Sequence, residues 1–238
     1  MSSIQIQDLT PTGKLRVGIN FGNTVLANRD GNGNPCGIAA DLGKELARRT
    51  GAPIQFITYE AAGRMADGAG SGAWDVAFLA ADPARAEEIT FTPPYLQIGT
   101  TYLVLARSPL QTVADVDRDG MRIALSEKSA YDLFLMRHLK HARLLRAPGP
   151  NASVELFFRD NLDALAGIRP MLMDVAREHP GTRLLAGSFM SVQQAIGTPK
   201  GRKAAAQYLH EFVEDIKASG FLEQTIQKNG ILGVSIAP

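Results

Sequence analysis

One segment constrains the fold more than any other: Gly72–Tyr95, which reads GAWDVAFLAADPARAEEITFTPPY. Within it, Asp75–Ala81 has the length and composition of a strand buried on both faces, and a helix-start signature follows at once. Such a strand needs helices on both sides, which is the arrangement of a parallel sheet in an α/β fold. Asp82 fits the N-cap, Pro83 the first helical position, and Glu87 and Glu88 suit the positive end of the helix dipole. Arg85 does not. The dipole opposes a cation in the first turn by ~0.3–1 kcal/mol unless an anion is held there by both the guanidinium and the free N–H groups. The pattern therefore marks a candidate carboxylate or phosphate clamp beyond the carboxyl end of a strand, where open α/β sheets gather ligands. A surface Arg85 paired with Asp82 or Glu88 is the plain alternative.

The rest of the chain repeats the strand and helix alternation. Leu15–Asn20 reads as a first strand, and the turn-rich Asn28–Gly37 leads to an amphipathic helix, Ile38–Thr50, with Gly51 as its C-cap. Pro53–Tyr59 is the next strand, and Glu60–Ala69 a short helix before the central segment. Tyr95–Arg107 is long, β-rich and without a following helix, so it is a candidate crossing strand. A second series begins near residue 120: strand Met121–Leu125, helix Ala130–His141, strand Arg143–Arg146, helix Ser153–Asp160, strand Leu162–Ala166, helix Arg169–His179. Thr182–Ala186 and Phe189–Ile196 are extended, and the finish is helical over Lys200–Ser219 and Phe221–Asn229. Two α/β series and a returning helical tail imply two lobes, with hinges near 99–107 and 188–198.

Composition narrows the partners. With 238 residues and 45% hydrophobic content the chain can bury a substantial core. Its 25 Lys and Arg against 24 Asp and Glu leave no broad basic field for nucleic acid or an anionic membrane, so a small neutral or anionic ligand is the expected partner. Cys36 is single and has no nucleophile's neighbours. No Walker A, G-x-S-x-G, H-E-x-x-H or Cys/His metal spacing occurs, and no cofactor or metal is implied. His138 and His141 fit a solvated basic face better than a metal pair. The opening residues, MSSIQIQDLTPTGK, show neither a charged n-region nor an apolar stretch, so the chain as written is expected to remain cytoplasmic unless a leader has been removed. No window is apolar enough for membrane insertion. Phe78 is a candidate apolar cleft wall equally readable as core, while Tyr95 and Tyr102 could line the cleft but read more readily as core.

GKLRVGIN at the first strand, DGNGNPCGIAADLGKELARRTG at the first loop and helix, and the central segment resemble family 3 extracellular solute-binding proteins, whose type II periplasmic-binding fold serves polar amino acids. DALAG, QAIGTPKG and EDIKASGFLEQTIQKNG extend the resemblance to about Gly230. It implies a two-lobed fold, each lobe a mixed, mostly parallel sheet flanked by helices and joined by two crossing strands. Lobe 1 would comprise 1–103 and 197–238, and lobe 2 104–196. It also implies hinge closure on a small carboxylate, a monomer, a periplasmic setting, and a membrane permease of an ABC transporter, or a sensor, as partner.

On that resemblance Arg85 is the clamp for the ligand carboxylate, and Ser129, preceded by Lys128, is the lobe-two hydroxyl at a helix start. Two departures follow. Where relatives carry hydroxyls before the arginine, this chain has Ala80 and Asp82. Where they place an acid to pair with the α-ammonium, five residues beyond Asp163, this chain has Ile168. A buried ammonium without that partner costs several kcal/mol, which argues against an ordinary α-amino acid. Arg169 is either a second cation or an outward helix-start residue. The other class of function is a cyclohexadienyl-dehydratase-type lyase, for which Glu127 and Lys128 would have to replace the acid that Ile168 removes.

Overall fold

The computed structural model describes residues 3–238 and divides into two compact units. The first comprises residues up to Gln97 and from Gln193 onward, and the second spans Ile98–Val192. The sequence division at 103/104 and 196/197 lies further along the same two strands, Leu96–Leu105 and Ser191–Pro199. Each strand begins in one unit and ends in the other.

The units share one plan. In the first, Ile54–Tyr59, Leu15–Asn20 and Val76–Ala80 lie side by side in parallel, in that order. Ser191–Pro199 then runs antiparallel to Val76–Ala80, and the short Ile89–Phe91 antiparallel to it. In the second, Arg143–Ala147, Arg122–Ser126 and Ala164–Ile168 are parallel, followed by antiparallel Leu96–Leu105 and Thr182–Leu184. Each is thus a mixed, mostly parallel sheet in which the first strand of the parallel trio lies between the other two.

Helix patterning accounts for the cover. Ile38–Thr50 buries Ile38, Leu42, Leu46 and Ala47 and stops at Gly51, whose φ of 68° is the left-handed C-cap that glycine takes at no steric cost. At Gly37, where φ is 101°, a Cβ would also stand 2.8 Å from the Leu26 carbonyl, so only glycine fits the entry to this helix. Trp74, fully buried, packs with Met65, Ala77, Leu79 and Ile89 beneath the first sheet, and its Nε1 donates to the Met65 carbonyl at 2.8 Å. Emptying such a site costs ~3–5 kcal/mol. In the second unit Leu103, Ala124, Phe157, Leu165 and Leu172 form the corresponding core.

Three elements depart from the sequence pattern. The helix expected after Asp82 is a single 3₁₀ turn, Arg85–Glu87, because Ile89–Phe91 at once becomes an edge strand. A short helix, Ser3–Leu9, precedes the first strand. Tertiary contacts supply what its length lacks: Leu9 is fully buried, and Asp8 Oδ2 accepts the Ala205 N–H at 2.9 Å, capping Lys203–Ala218 from the far end of the chain. Val234–Ile236 is extended, and the Ala237 N–H donates to the Tyr95 carbonyl. No helix among the described residues is long and apolar enough to cross a membrane.

Candidate functional site

In the first unit, Val76–Ala80 is buried along its whole length. Because it is parallel to Leu15–Asn20 and antiparallel to Ser191–Pro199, the loops after Asn20 and Ala80 meet Gln194 at one edge of the sheet. Asp82 shapes the turn there. Its Oδ1 accepts the Ala84 N–H at 2.9 Å, and its carbonyl accepts the N–H groups of Arg85 and Ala86 at 3.1 and 3.0 Å. The turn folds Arg85 back over the strand, where Nη1 donates to the Ala80 carbonyl at 2.9 Å. Arg85 is only 6% exposed, so it is not a surface arginine. Burial lowers the guanidinium to about 10, outweighing the fields of Asp82 and Asp67, and it remains protonated at neutral pH. The physical basis differs from the one the sequence suggests: a three-residue turn carries no useful dipole, and desolvation is what sets Arg85 apart.

Phe78 is buried and meets Tyr95 edge-on, with ring centroids 6.3 Å apart. Opposed residues in the antiparallel register share a face, so Phe78 with Ile196 and Ala80 with Gln194 lie on one side of the sheet. Among the described residues of this unit, three buried side-chain oxygens make no hydrogen bond: Asn23 Oδ1, Tyr95 Oη and Gln194 Oε1. The sequence pattern singles out Tyr95 but neither Asn23 nor Gln194. Only the pairing of distant strands brings these two to the Ala80 edge.

The second unit has a corresponding edge. Ala164–Ile168 runs parallel to Arg122–Ser126, with Ala164 opposite Ile123, so Ile168 and the turn after Ser126 end on the same side. Ser129 caps Ala130–His138, its Oγ accepting the Asp132 N–H at 3.1 Å. Lys128 adopts φ 53°, uncommon for a residue with a side chain, and its N–H donates to Asp132 Oδ2 at 2.8 Å. Arg146 Nε and Nη2 hold the same carboxylate at 3.0 and 2.9 Å. Burial pushes the Tyr131 hydroxyl up to about 12, against the pull of hydrogen bonds with Ser129 and Ser126. Ile168 is buried. Arg169 begins the helix Arg169–Glu178 and donates through Nη2 to the Gly187 carbonyl, tying that loop down.

The sequence-derived residues thus fall into two sets. Phe78, Ala80, Asp82 and Arg85 gather in the first unit, and Lys128, Ser129, Ile168 and Arg169 at one sheet edge in the second. The first set holds a buried cation folded onto the end of a buried strand, the second a capped helix start beside an apolar strand end. No group of three or more His, Cys, Asp or Glu among the described residues could hold a metal. His138 instead stacks on Phe134 at 3.8 Å, and His141 meets Asp119 at an exposed 3.1 Å.

Residues 15–230 match the family model for bacterial extracellular solute-binding proteins, family 3. No curated protein matches the sequence. Among solved structures, the solute receptor for L-cysteine of Neisseria gonorrhoeae is similar with a TM-score of 0.84 and 20% identity, over 98% of this chain and 99% of that one. A histidine kinase sensor domain with similarity to periplasmic binding proteins gives 0.81 and 21%, covering 94% and 98%. The ancestral amino acid-binding protein AncCDT-1, a precursor of cyclohexadienyl dehydratase, gives 0.78 and 18%, again covering 94% and 98%. At these identities the likeness is one of fold, the type II periplasmic-binding architecture. The family match spans nearly the whole described chain and both sheet edges. This chain belongs to the bacterial extracellular solute-binding proteins, family 3.

Proposed function

We propose that this solute-binding protein captures a small carboxylate lacking an α-ammonium group and presents it to a membrane permease or a sensor. The observation that carries this reading is Arg85, a cation 6% exposed at the carboxyl edge of a fully buried strand, whose desolvation outweighs its carboxylate neighbours. An incoming carboxylate restores what burial removed. Ser129 supplies a hydroxyl, and with Asp132 N–H and Leu133 N–H already bonded to Ser129, the N–H groups of Ala130 and Tyr131 head the helix. Ile168, apolar and buried, offers nothing to an ammonium. Phe78 and Ala80 form an apolar wall, Asp82 shapes the Arg85 turn, and Lys128 and Arg169 hold the second edge in shape.

Glu127, the acid of the lyase alternative, is exposed, and Asp132, three residues beyond Ser129, accepts from the Lys128 N–H and from Arg146, an arrangement suited to a fixed acceptor rather than a proton donor. This favours binding over the lyase alternative. The two units draw together on the ligand by bending where Leu96–Leu105 and Ser191–Pro199 pass between them. A periplasmic setting follows from the family's extracellular role.

Calorimetric titration of matched amino, keto, hydroxy and unsubstituted carboxylates tests the ligand class. Arg85→Ala is expected to weaken binding of the preferred acid by ~2–5 kcal/mol, as loss of a buried charge partner does. Unaltered affinity in that variant, or binding of free amino acids alone, would sink the reading. Small-angle scattering with saturating acid is expected to give a smaller radius of gyration, and an equal radius removes the hinge.

A further inference from the structure

Tyr95 and Gln194 are joined through the backbone, the Tyr95 N–H donating to the Gln194 carbonyl at 2.8 Å. Gln194 shares a sheet face with Ala80, whose carbonyl receives Arg85 Nη1, and Tyr95 packs edge-on against Phe78 on that face. Tyr95 is fully buried and Gln194 4% exposed, yet Tyr95 Oη and Gln194 Oε1 make no hydrogen bond. Buried oxygens left without a partner carry an uncompensated desolvation cost, on the same strand edge that supplies the Ala80 carbonyl to Arg85. Pure core packing would be served equally well by phenylalanine and methionine at these positions. Their chemistry is also particular. Gln194 Oε1 only accepts, whereas a phenol both donates and accepts.

We propose that Gln194 and Tyr95 determine specificity by reading a hydroxyl group on the carboxylate ligand, so that the ligand is a hydroxy acid. A hydroxyl donates to Gln194 Oε1 and accepts from Tyr95 Oη, matching both. A keto oxygen can take the phenol proton but has none to give Gln194 Oε1, and an unsubstituted acid satisfies neither. An ammonium would match the acceptors but brings a charge that these two neutral groups do not balance. The inference rests on Arg85 as the carboxylate grip.

The test is calorimetric titration of 2-hydroxy and 3-hydroxy acids against the keto and unsubstituted acids of equal chain length, using the full chain and the variants Gln194→Met, Tyr95→Phe and Arg85→Ala. The intact protein is expected to prefer a hydroxy acid by about tenfold over its unsubstituted counterpart, the worth of one to two net hydrogen bonds. Gln194→Met and Tyr95→Phe should each erase most of that preference and not lower the melting temperature without ligand. Equal affinity for hydroxy and unsubstituted acids, with Arg85→Ala abolishing both, overturns this inference alone. Variants that melt earlier and keep the preference also overturn it, because the two oxygens then serve the fold. Binding that ignores Arg85→Ala, or no binding across the panel, overturns the carboxylate reading and this one with it.

Discussion

The same clasp occurs once in each unit, and burial sets its worth. In the first unit the Arg16 N–H and Nε donate to Asp75 Oδ2 at 3.0 and 2.9 Å, while the Asp75 N–H returns to the Arg16 carbonyl. In the second, the Arg122 N–H and Nε donate to Asp163 Oδ2 at 2.8 and 3.3 Å, and the Asp163 N–H returns to the Arg122 carbonyl. Each joins the start of a central strand to the start of its parallel neighbour. The Asp75 side chain is inaccessible and receives a further bond from Arg202 Nη1 at 2.7 Å, whereas Asp163 is 35% and Arg122 44% exposed. The shared wiring is therefore a structural node in one unit, where Arg16 Nη2 adds a bond to Asp75 Oδ1 at 2.7 Å, and a solvated surface pair in the other, where Arg122 Nη2 turns to the Asn161 carbonyl.

Asp75→Asn should lower unfolding free energy by ~2–4 kcal/mol, since it leaves two part-buried guanidinium groups facing a neutral amide. Denaturant titration measures it, and a loss no larger than that of Asp163→Asn would dissolve the contrast. Acid sharpens the same point. Burial pushes the Asp75 carboxyl up, but hydrogen bonds from Arg16 and Arg202 more than offset this and leave it below the ordinary value of 3.8. Bonds from Arg48 and then Arg49 hold Glu45 at about 2, against an ordinary 4.5. Both are depressed on folding, so their contribution is fully present above about pH 4.5 and is lost as the pH falls through the folded values. Stability should be level between pH 7 and 5 and fall below about 4.5, with a shallower fall in Asp75→Asn. Ser129→Ala, which removes the cap of Ala130–His138, should cost ~1 kcal/mol. A loss well above that would assign the hydroxyl a role beyond the helix end. Asp163→Asn should cost the least, at most ~1 kcal/mol, and its effect should shrink in high salt. A salt-insensitive loss as large as that of Asp75→Asn would show that burial is not the deciding variable.

Strand and helix positions were largely legible because apolar periodicity and glycine punctuation are local: Leu15–Asn20 and Ile38–Thr50 begin and end where the pattern puts them. The turn after Asp82 was not, because the competitor of the expected helix is an edge strand whose partner, Ser191–Pro199, lies about a hundred residues away in sequence. Arg85 stood out in the sequence for the wrong reason. Its dipole argument fails with the helix, while its burial depends on tertiary packing that no local pattern encodes. Gln194 was invisible for a related reason. A glutamine in an extended segment is unremarkable until register sets it opposite Ala80. The helix start after Ser129 was legible because it is set by a few consecutive residues, whereas Ser129 itself was singled out only by the family resemblance.

The division of the first unit between the two ends of the chain has a consequence for synthesis. Translation completes Ile98–Val192, every strand of its central parallel set included, while the first unit still lacks its antiparallel strand. Until the chain reaches Thr198 and Arg202, the Asp75 carbonyl lacks the Thr198 hydroxyl, and its carboxylate has Arg16 as its one arginine partner. Gln194 reaches its place opposite Ala80 in the same late step. The nascent protein therefore acquires its interior polar register last: once Ile98–Val192 has emerged from the ribosome, a complete second unit stands beside a first unit whose Arg16–Asp75 clasp lacks Arg202 and whose Ala80 edge lacks Gln194.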